Sequence, residues 1–124
     1  VEAGDLAAAE SALRWALTAG DTRSDIGQLI QLRLARVLAA EGKEPEALAI
    51  LAQGSGAYPV AYAQAEGDIH LAAGRHDEAL TAYRSGRDLA AELGQYSAVL
   101  DNKVRTLETR LPASPSTVTP EDAS

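Results

Sequence analysis

Two histidines with acidic neighbours are the residues whose types and spacing could bind a metal ion. His70 lies four residues after Glu66, and this spacing places both side chains on one face of a helix. His76 follows Gly74, so it falls beyond the turn that we expect to end that helix. We therefore favour a packing role for His76 and solvent contact for the nearby acids, and we expect neither a metal ion nor a cofactor.

Nucleophilic and phosphate-binding chemistry also lack their motifs. The chain has no cysteine, and no serine or threonine lies in the Gly-x-Ser-x-Gly context of a nucleophile turn. The glycines of Gly54-Ser55-Gly56 lack the lysine that follows a phosphate-binding loop. We therefore predict a protein that is not an enzyme.

Composition limits the class of fold and of partner. The 124 residues include 11 lysines and arginines against 18 aspartates and glutamates, a net charge of −7 without a basic cluster. Such a chain lacks the electrostatic footprint of a nucleic-acid-binding protein. Phenylalanine and methionine are absent, so leucine, isoleucine, valine and alanine must form the core. Because alanine is the best helix former, this composition indicates an all-α fold.

Six helices are predicted from apolar residues at helical spacing and from the glycines that follow them. The expected spans are 4–19, 25–41, 44–53, 60–73, 77–93 and 96–111, and Ser24 is placed to cap the second. The sixth helix carries one apolar stripe, made of Tyr96, Val99, Leu100, Val104, Leu107 and Leu111. We assign residues 1–111 to a helical domain and 112–124, rich in proline, serine and threonine, to a disordered tail.

An internal repeat is the most informative feature of the sequence. Gly42 and Gly74 are each followed by Glu-Ala-Leu and then by a large residue, Leu51 or Tyr83. The step of 32 residues (74 − 42) is close to the ~34 of a tetratricopeptide repeat, a pair of helices joined by a tight turn. We therefore predict a tetratricopeptide-repeat array of about two and a half units, closed by the sixth helix.

Small residues are expected where the helices of each repeat cross. Ala35 and Gly67 occupy equivalent positions in the first helices, and Ala47 and Ala79 do so in the second helices. A larger side chain at these places would force the helices apart. The first segment, from Gly4, matches only the second helix of a unit, so we expect the chain to begin within a repeat.

Two stretches resemble a known family. Residues 31–43 followed by Glu46-Ala-Leu, and residues 67–83, are similar to the C-terminal repeat region of the YfgM-like family. The resemblance covers 24–111 and is best over 32–37 and Gly67-Asp68-Ile69. These proteins are ancillary subunits of the bacterial Sec translocon.

The resemblance implies a partner, a location and a topology. It implies a periplasmic repeat domain on an inner-membrane anchor, working with SecYEG and the periplasmic chaperone PpiD. No apolar run in this sequence reaches the ~18 residues of a membrane span, and the chain begins at Val1, so we expect a fragment or a processed product. A cytosolic tetratricopeptide adaptor remains the alternative.

Candidate binding residues lie on the inner faces of the first helices of the repeats. A groove there would suit an extended segment or a partner helix. Asp68 stands at the position that matches Arg36, which argues against a carboxylate clamp. In the alternative interpretation, Leu29 and Leu32 pack against the first helix and Arg36 pairs with Asp68 or Glu66. The candidate groove positions are Leu29, Leu32, Arg33, Arg36, Ala61, Gln64, Asp68 and Leu71.

Overall fold

The computed structural model describes residues 3–110, and over that range the chain is helical without a β-strand. This confirms the predicted all-α class and all six helices. None of the described helices is both long enough and apolar enough to cross a membrane. The predicted end of the sixth helix at Leu111 and the predicted tail 112–124 lie outside the described residues. The helices are α1 (Ala3–Ala19), α2 (Asp25–Ala40), α3 (Glu44–Leu51), α4 (Pro59–Ala72), α5 (His76–Glu92) and α6 (Ala98–Arg110).

Each helix packs against the next one in the chain, and α4 also packs against α2. The α4–α5 contact is the most extensive, and α2–α3, α1–α2 and α5–α6 follow. Helix α4 also contacts α2 and α3. The pairs α2/α3 and α4/α5 are thus the two repeats, and α4 joins them.

The two repeat turns have the same geometry. Gly42 and Gly74 adopt left-handed φ angles of 83° and 82°, which glycine adopts without a steric penalty. In each turn the next N–H, of Lys43 or Arg75, donates to the carbonyl five residues earlier at 2.8 Å. The same turn therefore recurs after 32 residues, as the repeat alignment predicts.

Small residues stand at the predicted crossing points. Ala35, Ala47 and Ala79 are fully buried. A Cβ atom built on Gly67 would lie 2.4 Å from Cε1 of Tyr83, closer than real Cβ contacts allow. The size limits that we inferred from the repeat are confirmed.

The core consists of two clusters. One joins α2, α3 and α4 and contains Leu51 with Tyr62 and Ile69. The other joins α5 and α6 and contains Tyr83 with Leu100, among others. Leu51 and Tyr83 therefore pack toward the next unit, as the sequence predicts.

Three sequence predictions about side-chain packing on the fifth and sixth helices are wrong. Tyr96 and Val99 are 72% and 54% exposed, whereas we expected both in the buried stripe of the sixth helix. The helix begins only at Ala98, so Tyr96 precedes it and the inward stripe comprises Leu100, Val104 and Leu107. His76 is exposed at the first residue of α5, so it has no packing role.

A polar cluster attaches α1 to the first repeat. The Glu10 carboxylate lies 2.7 Å from Arg14 Nε and 3.1 Å from Lys43 Nζ. The hydrogen bonds from Arg14, from the adjacent Glu41 carboxyl and from Lys43 lower the pKa of Glu10 to about 2. Contact with Glu10, together with burial, raises the pKa of Glu41, whose Oε1 is buried without a hydrogen-bond partner.

The buried alanines give a test of the crossing points. Ala79→Leu and Ala47→Leu should each lower the free energy of unfolding by about 1–3 kcal/mol, because the added side chain overpacks the interface. Ala91→Leu, on the exposed face of α5, is the control and should change it by less than about 0.5 kcal/mol. Urea denaturation measures the difference. Wild-type stability in both buried variants would refute the alignment.

The carboxyl pair predicts a pH-dependent effect of Glu41→Gln. The raised pKa of Glu41 means that its protonated form stabilises the fold at low pH, and that this stabilisation is lost as the pH rises through the folded-state pKa. Glutamine keeps a donor toward Glu10 at every pH. The variant should therefore melt above the wild type at pH 7, and the gap should narrow toward pH 4.5, where Glu10 is still ionised.

Glu92→Gln is the matched control for that melting series. The Glu92 side chain is exposed at the last residue of α5, so the melting temperature of this variant should follow the wild type across the same pH range. A Glu41→Gln variant that melts below the wild type at pH 7 would contradict the account of the pair.

Candidate functional site

Helices α2, α4 and α6 present neighbouring surfaces that meet around Asp68. We call this surface the groove: the exposed faces of α2, α4 and α6 on either side of Asp68. Arg36 of α2 and Lys103 of α6 both reach the Asp68 carboxylate, so the three helices are linked across it. The groove is therefore built from the first helices of the two repeats and the closing helix.

Asp68 is the centre of a polar network. Its Oδ2 lies 3.2 Å from Arg36 Nη1, and its Oδ1 lies 3.2 Å from Lys103 Nζ. The Tyr83 hydroxyl of α5 donates a hydrogen bond to Oδ1. One carboxylate thus accepts contacts from three other helices.

Packing places the Tyr83 hydroxyl at this carboxylate. Because Gly67 has no side chain, the Tyr83 ring lies directly against α4, one residue before Asp68. Burial and the hydrogen bond to Asp68 raise the pKa of Tyr83 well above its usual 10, so the hydroxyl stays protonated and donates. Lys103 Nζ lies 5.3 Å from the centre of the same ring, within cation–π range.

A depression lies on each side of Asp68. The one between α2 and α4 has a volume of about 180 Å³ and is lined by Arg36, Ala39, Ala40, Asp68, Ile69 and Ala72. The one between α4 and α6 has a volume of about 230 Å³ and is lined by Leu71, Tyr83, Asn102, Lys103, Thr106, Leu107 and Arg110. The groove therefore offers two places for side chains of a bound segment.

The structure brings part of the predicted set to these depressions. Arg36 and Asp68 line the first depression and Leu71 lines the second. Arg33 is exposed three residues before Arg36, and Gln64 is partly exposed four residues before Asp68, so both lie along the same helix faces.

Leu32 does not lie on the accessible surface of the groove. It is only 7% exposed and lies in the first core cluster, because consecutive residues of a helix point about 100° apart and Arg33 takes the outward direction. Leu29 and Ala61 are partly buried and pack against the same cluster. Leu32 is therefore a core residue, and the Arg36–Asp68 pair named in the alternative interpretation is observed.

The sequence prediction missed three contributors to the groove: Lys103, Arg110 and the Tyr83 hydroxyl. The repeat step leads from Asp68 to Leu100 (68 + 32), which is buried. The step fails here because α5 has 17 residues whereas α3 has 8. Arg36 and Asp68 are separated by the repeat step of 32 residues, and this spacing was the sequence signal that could locate groove residues. The step holds only for the two regular repeats, so it could not locate Lys103 or Arg110.

The histidine region forms a separate cleft. A depression of about 390 Å³ between α4 and α5 is lined by residues that include Glu66, His70, Asp77 and Glu78. Nδ1 of His70 accepts a hydrogen bond from Arg75 Nε at 2.9 Å, and its Nε2 lies 3.8 Å from Glu66. Within residues 3–110 no three histidine, cysteine or acidic side chains are grouped as metal ligands.

The network predicts a specific cost for removing one hydroxyl. Tyr83→Phe keeps the ring over Gly67 but removes a buried donor to an ionised carboxylate, so it should lower the free energy of unfolding by about 1–2 kcal/mol. Tyr96→Phe is the control, because the Tyr96 hydroxyl reaches Asp101 only at 3.3 Å on the exposed surface. Chemical denaturation compares the two variants. An equal loss of unfolding free energy in the two variants would show that the hydrogen bond to Asp68 does not stabilise the fold.

Comparison with known proteins agrees with this architecture. A family model described as a tetratricopeptide repeat-like domain matches residues 1–109. Searches of curated proteins and of solved structures returned no match. Domains of this family are generally non-catalytic modules that bind other proteins. The family model spans most of the sequence, and the two repeats have the helix pairs of a tetratricopeptide repeat. The chain therefore belongs to the tetratricopeptide repeat-like family and is a protein–protein interaction module.

Proposed function

We propose that this chain binds protein partners through the groove as part of an ancillary subunit of the bacterial Sec translocon. Its partners would be SecYEG and a PpiD-like chaperone, on the periplasmic side of the inner membrane. The observation that carries the binding role is the groove itself, an exposed surface of three helices with a depression on each side of Asp68.

The geometry of the groove supports binding of an extended segment or of a partner helix. The Tyr83 ring packs against Gly67, and the Asp68 contacts connect α2, α4, α5 and α6, so the surface is organised before a partner arrives. Preorganisation of this kind lowers the ordering cost of association. Peptides and helices commonly bind such surfaces by placing a few side chains in separate pockets.

The translocon assignment depends on the family resemblance. Its best-matching residues, 32–37 and Gly67-Asp68-Ile69, have structural roles that the fold explains. Gly67 accommodates Tyr83, and Asp68 links α4 to three other helices. The resemblance therefore includes the residues that build the groove, which supports a shared binding mode.

Site-specific photocrosslinking in the native full-length protein tests this proposal. A photoreactive amino acid is placed at Arg33 or Gln64 in the groove, and at Ala49 on the exposed side of α3 as the control. We expect crosslinks to SecY or to the PpiD-like chaperone from positions 33 and 64 but not from 49.

The other outcomes of this experiment contradict the proposal in different ways. Equal crosslinking from position 49 would exclude the groove as the binding surface. Groove crosslinks to cytosolic proteins alone would favour the adaptor alternative and would exclude the translocon.

A further inference from the structure

The groove is cationic although the chain is acidic. The two depressions are lined by Arg36, Lys103 and Arg110 against one carboxylate, that of Asp68. The exposed Arg33 lies one helical turn before Arg36. The whole chain carries a net charge of −7, so the charge of the groove is opposite in sign to that of the protein.

The opposite charge lies in the cleft between α4 and α5. Glu66, Asp77 and Glu78 line that cleft, with His70 among them. The two surfaces of α4 therefore differ in sign, with the cationic one toward the groove. A partner with a negatively charged segment is attracted to one surface and repelled by the other.

The groove cations keep donors available for a second carboxylate. Arg36 contacts Asp68 through Nη1, and Lys103 contacts Asp68 through Nζ. A guanidinium has five N–H donors and an ammonium has three, so each side chain has further donors. Both side chains are about one-third to one-half exposed (43% for Arg36 and 33% for Lys103). An incoming carboxylate can therefore bind beside Asp68 without displacing it.

The depression between α4 and α6 adds an apolar element. Leu71, which is partly exposed, lines it together with the cations Lys103 and Arg110, and the buried Leu107 and Tyr83 ring lie at its base. A volume of about 230 Å³ accepts one large apolar side chain. Adjacent cations would then hold carboxylates on the neighbouring residues of the same segment.

We propose that the groove binds an extended acidic segment of a partner protein, with one apolar side chain in the depression between α4 and α6. This inference rests on the proposed binding role of the groove and names the chemistry of its ligand. Packed helices lie about 8–10 Å apart, so the groove spans about 20 Å from α2 to α6. At about 3.3 Å per extended residue, six or seven residues cover it.

Peptide titration of the purified chain tests the charge requirement. The probe is a capped heptapeptide with a central leucine and six flanking glutamates, and its control replaces the glutamates by glutamines. We expect the glutamate peptide to bind about tenfold more tightly at low salt, because several partly exposed ion pairs add up. Its affinity should fall as ionic strength rises from about 0.05 to 0.5 M, where charges are screened.

Matched arginine variants test the location. Arg33→Gln and Arg110→Gln should each weaken the glutamate peptide about two- to fivefold. Arg105→Gln is the control on α6, where Arg105 pairs with Asp101 instead of lining the groove, and it should leave the affinity unchanged. A peptide with alanine in place of leucine should bind about threefold more weakly, because the apolar depression stays empty.

Three results would overturn the inference: equal affinity for the glutamate and glutamine peptides, an effect of Arg105→Gln equal to that of Arg110→Gln, or no saturable binding at millimolar peptide. If groove crosslinks to the translocon persist in any of these cases, the proposed function stands and only the acidic ligand is excluded. If acid-selective binding is found without those crosslinks, the ligand chemistry stands and the translocon assignment fails.

Discussion

The arrangement of the groove depends on the close approach of Tyr83 to Gly67. Only glycine leaves room for the ring at this point, since any Cβ atom would meet it at 2.4 Å. The contact fixes α5 against α4 and directs the phenol to Asp68, the next residue of α4. Lys103 of α6 then binds both the ring and the carboxylate, and Arg36 of α2 binds the carboxylate from the other side. One missing side chain thus determines where three further helices place polar groups.

The sequence predicted those features of the structure that recur at the repeat step of 32 residues, and it failed where that step is broken. The turns at Gly42 and Gly74 and the alanines at the crossings repeat at a fixed step, so local pattern was sufficient to place them. The Arg36–Asp68 pair follows the same step and was foreseen as an alternative. Lys103 could not be placed, because it lies beyond α5, whose length departs from that of α3. Leu32 was misplaced because it is adjacent to Arg33 in sequence but about 100° from it around the helix.

The first repeat and α1 are joined by a different kind of contact. There, two carboxyl groups, Glu10 and Glu41, share a site with Arg14 and Lys43. The Glu10 carboxylate contacts both cations, whereas Oε1 of Glu41 has no hydrogen bond and lies 3.8 Å from Lys43 Nζ. Asp68, by comparison, has a donor or cation from each of three helices, α2, α5 and α6. The array therefore combines one acidic centre in the groove with one carboxyl pair at its α1 end. Within that pair, the lowered pKa of Glu10 favours the folded state at neutral pH, whereas the raised pKa of Glu41 disfavours it.

Stability and binding are separable in the groove because they depend on different parts of the same residues. The ring of Tyr83 is buried against Gly67, and burial of this kind is largely insensitive to salt. The ion pairs of Arg36 and Lys103 with Asp68 are partly exposed, and such pairs contribute at most about 1 kcal/mol and are screened by ions. The cations can therefore change their partners with little cost to the fold. A surface held in place by packing, and only lightly by its own charges, can present those charges to another molecule.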